Sequence, residues 1–341
     1  MRSSAAQSRG SGRAAGSPRG SVRRCGRSQL YGWCDGADCA GARSAPRDTP
    51  FRVRAIAALF VVIWSTGFMI AKAIVPVADP NLFLTARFSL AAAGFLAIGL
   101  AAGVPWPRWR DVPRHLLAGV LLQAGYLAGT YWVVLHGVAP SVMALLGALQ
   151  PMLTAVLAIF VLREIPTGRT WAGLVLGLSG VALVMVPGLM NRTTGAPSGQ
   201  LLIVAVLAIL SLTVGTVLQK TSISGADIRA SSVLQNLGAA VTVAGFALLL
   251  GEHRWVSSLA LWGSLAWAAL ILSGVGTFLL VWMVRRGRAA NVASLMLLAP
   301  PLAAIESYLL FGDRLSPVQI AGFALALVGV FLCRPAATPR D

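Results

Sequence analysis

The stretch ALLGALQPMLTAVLAIFVLREIPTGRTWAGLVLGLSGVALVMV, residues 144–186, decides the fold because the chain contains its pattern twice. It consists of an apolar segment, a polar elbow and a second apolar segment that is rich in glycine. Its landmarks recur 149 positions later as the same residue or a close chemical relative, in the pairs Pro151 and Pro300, Glu164 and Asp313, Gly173 and Gly322, and Gly180 and Gly329. The pattern indicates an internal duplication.

The composition is that of a membrane protein. Of 341 residues, 57% are hydrophobic and 11% are charged, whereas about 25% are charged in a typical soluble domain. From Arg54 onwards, apolar windows of about 20 residues, the length that crosses a bilayer core, follow one another. The predicted spans are 55–75, 82–103, 115–135, 141–162, 170–187, 200–219, 230–250, 259–283, 289–311 and 317–333.

These spans predict an all-α integral membrane protein with ten transmembrane helices. Five spans separate one copy of the repeated pattern from the next, and an odd number reverses the orientation of the second copy. We therefore expect two inverted five-helix repeats, over residues 51–190 and 199–334. Residues 1–50 contain nine Arg and three Asp without apolar periodicity, which predicts a disordered basic tail.

The basic residues also predict the orientation in the membrane. With a cytoplasmic N-terminus, twelve Lys and Arg residues fall in the cytoplasmic connections and C-tail, against three in the outer loops: Arg192, Arg254 and Arg314. This excess favours a multi-pass protein of the cytoplasmic (inner) membrane with both termini inside. The net charge of +17 then needs no nucleic-acid partner, since the basic residues form no aromatic-interleaved face.

Motifs for catalysis, cofactor binding or metal binding are not evident. Cys34 and Cys39 lie in the tail, far from the three histidines, so the sequence predicts no metal site. Hydrolase, metalloprotease and phosphate-loop motifs are missing as well. We therefore expect neither a cofactor nor an enzyme activity.

Three ionisable residues lie within the predicted spans, where each is costly to bury. Lys72 either anchors its helix at the interface or takes part in function. Arg87 is either a structural contact or part of an outer gate, and its repeat equivalent is Asn236. Glu306 either binds a substrate cation or a coupling proton, or pairs with hydroxyl groups of a neighbouring helix; its equivalent is Leu157.

Neutral polar and aromatic residues recur in the same spans and suit a wet central cavity for amphipathic organic solutes. The candidates for contact with a substrate, besides the three ionisable residues and Asn236, are Trp64, Ser65, Tyr126, Tyr131, Trp132, Gln150, Trp282 and Asn291. Further polar residues in these spans include Gln123, Thr216, Gln235 and Thr277.

Small residues at helical spacing predict close approach between helices. The sets are Gly125 with Gly129, Gly173 with Gly177 and Gly180, and Gly322 with Ala326 and Gly329. They indicate either ordinary packing or a moving interface. Glu164 and Asp313 fall at the elbows, where an acid caps the next helix or pairs with Arg163, Arg169 or Arg314. We expect these landmarks to be structural hinges.

The chain resembles the EamA family of the drug/metabolite transporter superfamily, with two EamA repeats. The resemblance rests on WSTG at 64–67 with Lys72, Arg87, LQP at 149–151, LRE at 162–164, WAG at 171–173 through Gly180, LAP at 298–300, FGD at 311–313, and AG at 321–322 through Gly329. It covers roughly residues 55–333, although Asp313 stands where the family usually has Glu.

This resemblance implies a secondary-active transporter that exports amino acids, metabolites or amphipathic drugs by alternating access. The expected partners are a small-molecule substrate and the lipid bilayer. One alternative is an exchanger of anionic sugar or phosphate compounds, for which only Lys72 and Arg87 supply cations. A membrane-embedded lipid-modifying enzyme or a scaffold is an alternative from another class.

Overall fold

The computed structural model describes residues 50–150, 153, 168–190, 198–222, 225–279 and 298–332. Within these ranges the chain forms ten helical segments, when each helix with a π-helical turn is counted once. They are α1 Pro50–Ala73, α2 Pro80–Ala101, α3 Val112–Leu135, α4 Pro140–Ala148, α5 Gly168–Met190, α6 Ser198–Ser222, α7 Ile228–Leu249, α8 Leu259–Leu279, α9 Ala299–Phe311 and α10 Pro317–Leu332. Strand pairing among the described residues is a single β-bridge between Ala78 and Trp255.

The all-α prediction is thus confirmed for the described residues, whereas the predicted number of ten membrane spans is not. Five described helices are long and apolar enough to cross a membrane: α2, α3, Gly199–Gln219 within α6, α7 and α8. Shorter apolar helices are Ala58–Ala73, Trp171–Val184 and Pro317–Leu332. Ten spans remain a prediction, as do the repeat boundaries and the basic tail, which lies outside the described residues except for Pro50.

The outer surface of the bundle is strongly apolar. Leu248 and Leu249 are each 83% exposed and Leu259 is 91% exposed. A large contiguous apolar surface is unfavourable in water and indicates a hydrocarbon environment or a partner. Together with the five long apolar helices, this surface is that of a multi-pass membrane protein.

Proline and glycine mark the helix boundaries. Pro80, Pro140 and Pro317 each occupy the first residue of a helix, where the missing N–H is not needed for the helical ladder. Pro300 lies in the first turn of α9, and Gly312 ends that helix in the left-handed conformation with φ 70°. The turn at Gly312 brings the following Asp313 back beside Ser307.

Equivalent helices of the two predicted repeats pack against each other. Helix α2 packs on α7, α4 on α9 and α5 on α10, while α3 packs on α6 as α1 packs on α8. Exchanging α1–α5 with α6–α10 leaves this set of contacts unchanged. The contact pattern therefore has the symmetry expected of two related halves.

The small residues singled out in the sequence form one of these contacts, which we call the glycine seam: Gly173, Gly177 and Gly180 of α5 with Gly322, Ala326 and Gly329 of α10. A Cβ atom on Gly322 would lie only 2.7 Å from the carbonyl oxygen of Gly180 and 2.9 Å from the Val184 nitrogen. Only hydrogen side chains permit such backbone approach. The prediction of close helix approach is confirmed here.

The third helix of each half contains a π-helical segment. These segments are Val120–Gly125 in α3 and Trp267–Gly276 in α8, and adding 149 to the first range gives residues within the second. Just beyond the first segment, α3 approaches α6, because a Cβ on Gly129 would lie 2.8 Å from that of Ala208. Such segments often occur at functional sites.

Candidate substrate-binding site

A cavity of about 610 Å³ lies between the two halves of the bundle, within the 300–1,000 Å³ typical of small-molecule sites. Its lining comes mainly from α1, α2 and α3 of the first half and from α6, α7 and α8 of the second. The polar lining residues are Arg87, Gln123, Tyr126, Thr130, Gln150, Thr216, Gln219, Ser231, Ser232, Gln235, Asn236, Ser273 and Thr277. The aromatic ones, besides Tyr126, are Trp64, Phe68 and Phe95.

Five of the predicted site residues line this cavity: Trp64, Arg87, Tyr126, Gln150 and Asn236. Five others are outside its described lining: Ser65, Lys72, Tyr131, Trp132 and Glu306. Trp132 instead packs on His136, with ring centroids 4.0 Å apart. The remaining predicted residues, Trp282 and Asn291, lie outside the described residues, as do the landmarks Pro151 and Glu164.

Arg87 is held at the cavity by few contacts. It is 8% exposed, and its Nη1 lies 3.5 Å from the hydroxyl oxygen of Tyr131. Its buried Nε has no hydrogen-bond partner. Tyr131 is 1% exposed and stacks on Phe83 at 6.2 Å, so it supports Arg87 from behind instead of lining the cavity.

The polar face of α7 follows from the sequence SSVLQN at 231–236, where residues four apart share a helix face. Gln235 Nε2 donates to Ser231 Oγ at 2.8 Å, and Asn236 Nδ2 donates to the Ser232 carbonyl at 2.8 Å. His115 Nδ1 of α3 lies 2.9 Å from Ser231 Oγ. The sequence analysis did not select Ser231 and Ser232, although their spacing was a usable signal.

Helix α6 supplies a second polar wall. Gln150 Nε2 donates to Thr216 Oγ1 at 2.6 Å, across the two halves of the chain. One turn further, the buried Oε1 of Gln219 has no partner. Sequence reasoning missed Gln219 because a glutamine near a helix end is usually exposed to solvent.

The charge of the cavity is positive. Among the described residues that line it, Arg87 is the one that is charged at neutral pH. No aspartate or glutamate is among these residues. The site therefore suits a solute that brings one negative charge.

Lys72 and Asp313 form an ion pair between the two halves, with Nζ and Oδ1 2.5 Å apart. Asp313 Oδ2 also accepts a hydrogen bond from Ser307, and Lys72 Nζ lies 5.0 Å from the centroid of the Phe311 ring. The prediction that Asp313 caps the next helix or pairs with a nearby arginine is wrong. Ser316 caps the next helix instead, since its Oγ accepts a hydrogen bond from Gln319 N at 3.3 Å. Asp313 pairs with Lys72 of α1.

Glu306 of α9 contacts Ser65 of α1. The Ser65 hydroxyl lies 2.7 Å from Glu306 Oε1 and 2.9 Å from the Val62 carbonyl, and its one proton serves one acceptor at a time. Glu306 Oε2 is buried without a partner. Of the two roles left open by the sequence, the contact found is the pairing with a hydroxyl group.

A second set of contacts between the halves, which we call the latch, consists of Asp79, Asn81, Glu252 and Arg254. Asp79 Oδ2 accepts hydrogen bonds from the backbone nitrogens of His253 and Arg254 at 3.0 and 2.8 Å. Glu252 Oε2 accepts from the backbone nitrogen of Asn81 at 2.8 Å, and Oε1 accepts from Asn81 Nδ2 at 2.6 Å. Arg254 Nε lies 3.3 Å from Asp79 Oδ1.

The latch and the cavity lie toward opposite ends of the same helices. The latch joins the N-terminal end of α2 to the segment after the C-terminal end of α7. The cavity lining on α2 lies further along, at Arg87 and Phe95, and on α7 it reaches Ile228, the first residue. The cavity thus extends away from the latch toward the α6–α7 connection.

A bundle of two related helical halves, with an apolar outer surface and a polar cavity between them, has the architecture of a multi-pass membrane transporter. The model of the EamA-like transporter family matches residues 54–186 and 199–334. The chain therefore belongs to the EamA-like transporter family, and the resemblance inferred from the sequence is confirmed. This family and the relatives of the chain are transporters, not enzymes.

Several relatives are efflux proteins by name. A probable amino-acid metabolite efflux pump of Salmonella typhimurium is 28% identical over 81% of this chain and 93% of its own length. A probable terminal-alkyne amino-acid exporter of Streptantibioticus cattleyicolor is 25% identical over 70% and 79%. A solved crystal structure with 19% identity has a TM-score of 0.57 and covers 83% of this chain and 96% of its own, which supports the fold.

Proposed function

We propose that this protein is a secondary-active exporter that moves small amphipathic metabolites out of the cytoplasm by alternating access. Amino-acid metabolites are the first class to test, since two relatives are named for their export. The single observation that carries the proposal is the polar and aromatic cavity between two related halves. Pseudo-symmetric halves have two packings of similar energy, which open the same site to opposite sides.

The proposed topology is that of ten spans in two inverted repeats, in the cytoplasmic membrane and with both termini inside. In this orientation the latch faces the outside, because it follows α1 and α7, which both run outward. The cavity extends toward the cytoplasmic end of α7. We infer that the described conformation is sealed outside and receives its substrate from the cytoplasm.

Counterflow in proteoliposomes tests the proposal. The full chain is reconstituted, loaded with one unlabelled amino acid, and supplied outside with the same labelled amino acid; leucine, phenylalanine and threonine form the panel. Saturable accumulation of label supports a transporter. Chemical conversion of the solute would favour the enzyme alternative, and the absence of exchange for every panel member would contradict the proposed function.

Exchange of sugar phosphates is the alternative within the same superfamily. A dianionic phosphate calls for several cations, and the described cavity lining offers only Arg87, while Lys72 is paired with Asp313. Adding glucose 6-phosphate to the panel separates the two transporter classes. Exchange of that compound in preference to every amino acid would favour the alternative.

Coupling to protons is a second part of the proposal and concerns Glu306. Its Oε2 is buried at the contact between α1 and α9. Because this oxygen accepts no hydrogen bond there, it is free to bind a proton. Glu306→Gln is expected to insert normally and to abolish stimulation by an imposed pH gradient, while counterflow without a gradient persists. Unchanged stimulation in this variant would remove Glu306 from the mechanism.

A further inference from the structure

The duplication puts two chemically different residues at equivalent places in one cavity. Arg87 of α2 and Asn236 of α7 are 149 positions apart, like the repeated landmarks. Helices α2 and α7 pack directly on each other, and both residues line the cavity. The symmetric scaffold therefore presents a cation on one side and an amide on the other.

One donor of Arg87, the buried Nε, lacks an acceptor. Burial of an arginine with an unsatisfied Nε is unfavourable unless another group completes its hydrogen bonds. Among the described lining residues there is no carboxylate that could do so, and the Tyr131 hydroxyl is a distant neutral contact at 3.5 Å. A carboxylate on the solute matches the planar guanidinium best, because it can accept two parallel hydrogen bonds.

Asn236 instead has an acceptor, its side-chain oxygen, that lacks a donor. It is 3% exposed, and its Nδ2 is committed to the Ser232 carbonyl at 2.8 Å. This bond fixes the orientation of the side-chain amide and leaves the buried Oδ1 without a partner. Gln219 Oε1, also in the lining, is a second buried acceptor without a partner. Such acceptors suit an ammonium group, which has only donors.

The rest of the lining limits the remainder of the solute. Trp64, Phe68 and Phe95 offer apolar and aromatic surface, and no further charged residue is among the described lining residues. A side chain with its own charge would be buried without a counter-ion, which is costly. The cavity therefore suits a solute whose body carries no further charge and has apolar surface.

We propose, resting on the transport function above, that Arg87 binds the carboxylate of the substrate and that Asn236 accepts hydrogen bonds from its ammonium group. Two equivalent positions of the duplicated fold then fix the orientation of a zwitterion with an uncharged side chain. Arg87 and Asn236 are the specificity-determining residues of the exporter. Each of them recognises one end of the solute.

Competition in the counterflow assay tests each end separately. The labelled solute is the panel amino acid that the wild type exchanges fastest. The unlabelled competitors are that amino acid, its carboxamide, which lacks the negative charge, and its N-acetyl derivative, which lacks the ammonium group. For the wild type, each derivative is expected to compete about 10- to 100-fold less well than the free amino acid, because each loses one hydrogen bond to a charged group.

Each variant is expected to lose one of the two preferences. For Arg87→Gln, the free amino acid and the carboxamide should compete equally well with the labelled solute, while the N-acetyl derivative should still compete less well. For Asn236→Leu, the free amino acid and the N-acetyl derivative should compete equally well, while the carboxamide should still compete less well. Arg87→Lys keeps the charge without the planar fork and should retain part of the preference for the carboxylate. Arg110→Gln is the matched control, since Arg110 is exposed in the α2–α3 loop, and it should behave as the wild type.

The outcomes separate this inference from the proposed function. Wild-type exchange of amino acids without any preference over their carboxamides would contradict the assignment of Arg87 while it leaves transport intact. An Arg87→Gln variant that inserts and keeps the full carboxylate preference would contradict it as well. The absence of amino-acid exchange in the wild type would contradict the proposed function and this inference with it.

Discussion

Asp79 and Asp227 both lie directly before the second helix of a repeat, yet their side chains bind different partners. Asp79 accepts from backbone groups of His253 and Arg254 in the other half. Asp227 accepts a hydrogen bond from the backbone nitrogen of Arg229 at 2.8 Å and forms an ion pair with the guanidinium group of Arg229 at 3.0 Å. Asp79 joins the two halves, whereas Asp227 stabilises only its own helix.

This difference gives the two ends of the bundle different roles in the described conformation. At the latch end, Asp79 and Glu252 bind across the halves and the β-bridge between Ala78 and Trp255 supports them. At the other end, the acids before α3 and α7 pair within their own segments: Asp111 with Arg114 at 3.2 Å and Asp227 with Arg229 at 3.0 Å. The acidic side chains thus join the two halves at the latch end, whereas a contact across the halves at the other end is that of His115 with Ser231.

Both ends of the bundle depend on the packing of the two halves, so we expect the largest loss of stability from a substitution in the glycine seam. Gly322→Val places a branched side chain against the α5 backbone, where even a Cβ would lie 2.7 Å from an oxygen. We expect a loss of about 3 kcal/mol or more, the upper range for overpacking, measured as a lowered thermal midpoint and yield. Gly94→Val is the control, because nothing lies within 4 Å of that position.

Removing the charge of Glu252 is expected to open the latch end. Glu252→Gln weakens the hydrogen bonds from Asn81 and from the Leu82 nitrogen, which lies 3.1 Å from Oε2; hydrogen bonds to charged groups contribute about 1.5–3 kcal/mol each. With the four native cysteines changed to serine and Gln123→Cys in the cavity, an impermeant maleimide should label the variant from the latch side. Equal labelling of parent and variant from that side would contradict a sealing role.

Asp79→Asn should have an intermediate effect. The amide still accepts from the two backbone nitrogens but no longer pairs with Arg254, whose side chain is 41% exposed; exposed pairs contribute about 0–1 kcal/mol, and weaker acceptance adds a similar amount. We expect a destabilisation of about 1–2 kcal/mol together with increased labelling from the latch side. Labelling that matches the parent would place closure on Glu252 alone.

Asp227→Asn should have the smallest effect, a few tenths of a kcal/mol, because Asn caps a helix about as well as Asp. The hydrogen bond from Arg229 lowers the pKa of Asp227. Its contribution to stability is therefore present above the pKa of the unfolded chain and is lost as pH falls through the lower pKa of the folded chain. Thermal unfolding at neutral and acidic pH should show the small difference only near neutrality, with no change in labelling from either side.

Much of the fold could be predicted from the sequence because it depends on local residue patterns and on their duplication. The duplication marked equivalent glycine faces on α5 and α10, which the structure packs together, and it showed that Arg87 and Asn236, which both line the cavity, are equivalent positions. Apolar length gave the long helices. Such signals depend on residues a few positions apart or on a fixed offset, both of which a single chain displays.

Contacts across the halves were beyond this reasoning. Glu252 and Asn81 are 171 residues apart, and Lys72 and Asp313 are 241 residues apart; neither pair follows the offset of the repeat. Asp313 was expected to bind near its own elbow, as an acid at a helix end usually does. Only the packing of α1 beside α9 brings Lys72 within its reach.

The π-helical segments have a consequence for the phase of the third helices. Hydrogen bonds from i to i+5 place more residues in each turn than the α-helix does, so the parts before and after Val120–Gly125 and Trp267–Gly276 are out of step. Deleting one residue from a regular α-helix would rotate its remainder by about 100°, whereas the wider π-helical turn absorbs an extra residue, so that Tyr126 and Thr277 face the cavity. The lining of the cavity thus depends on residue count as much as on residue identity.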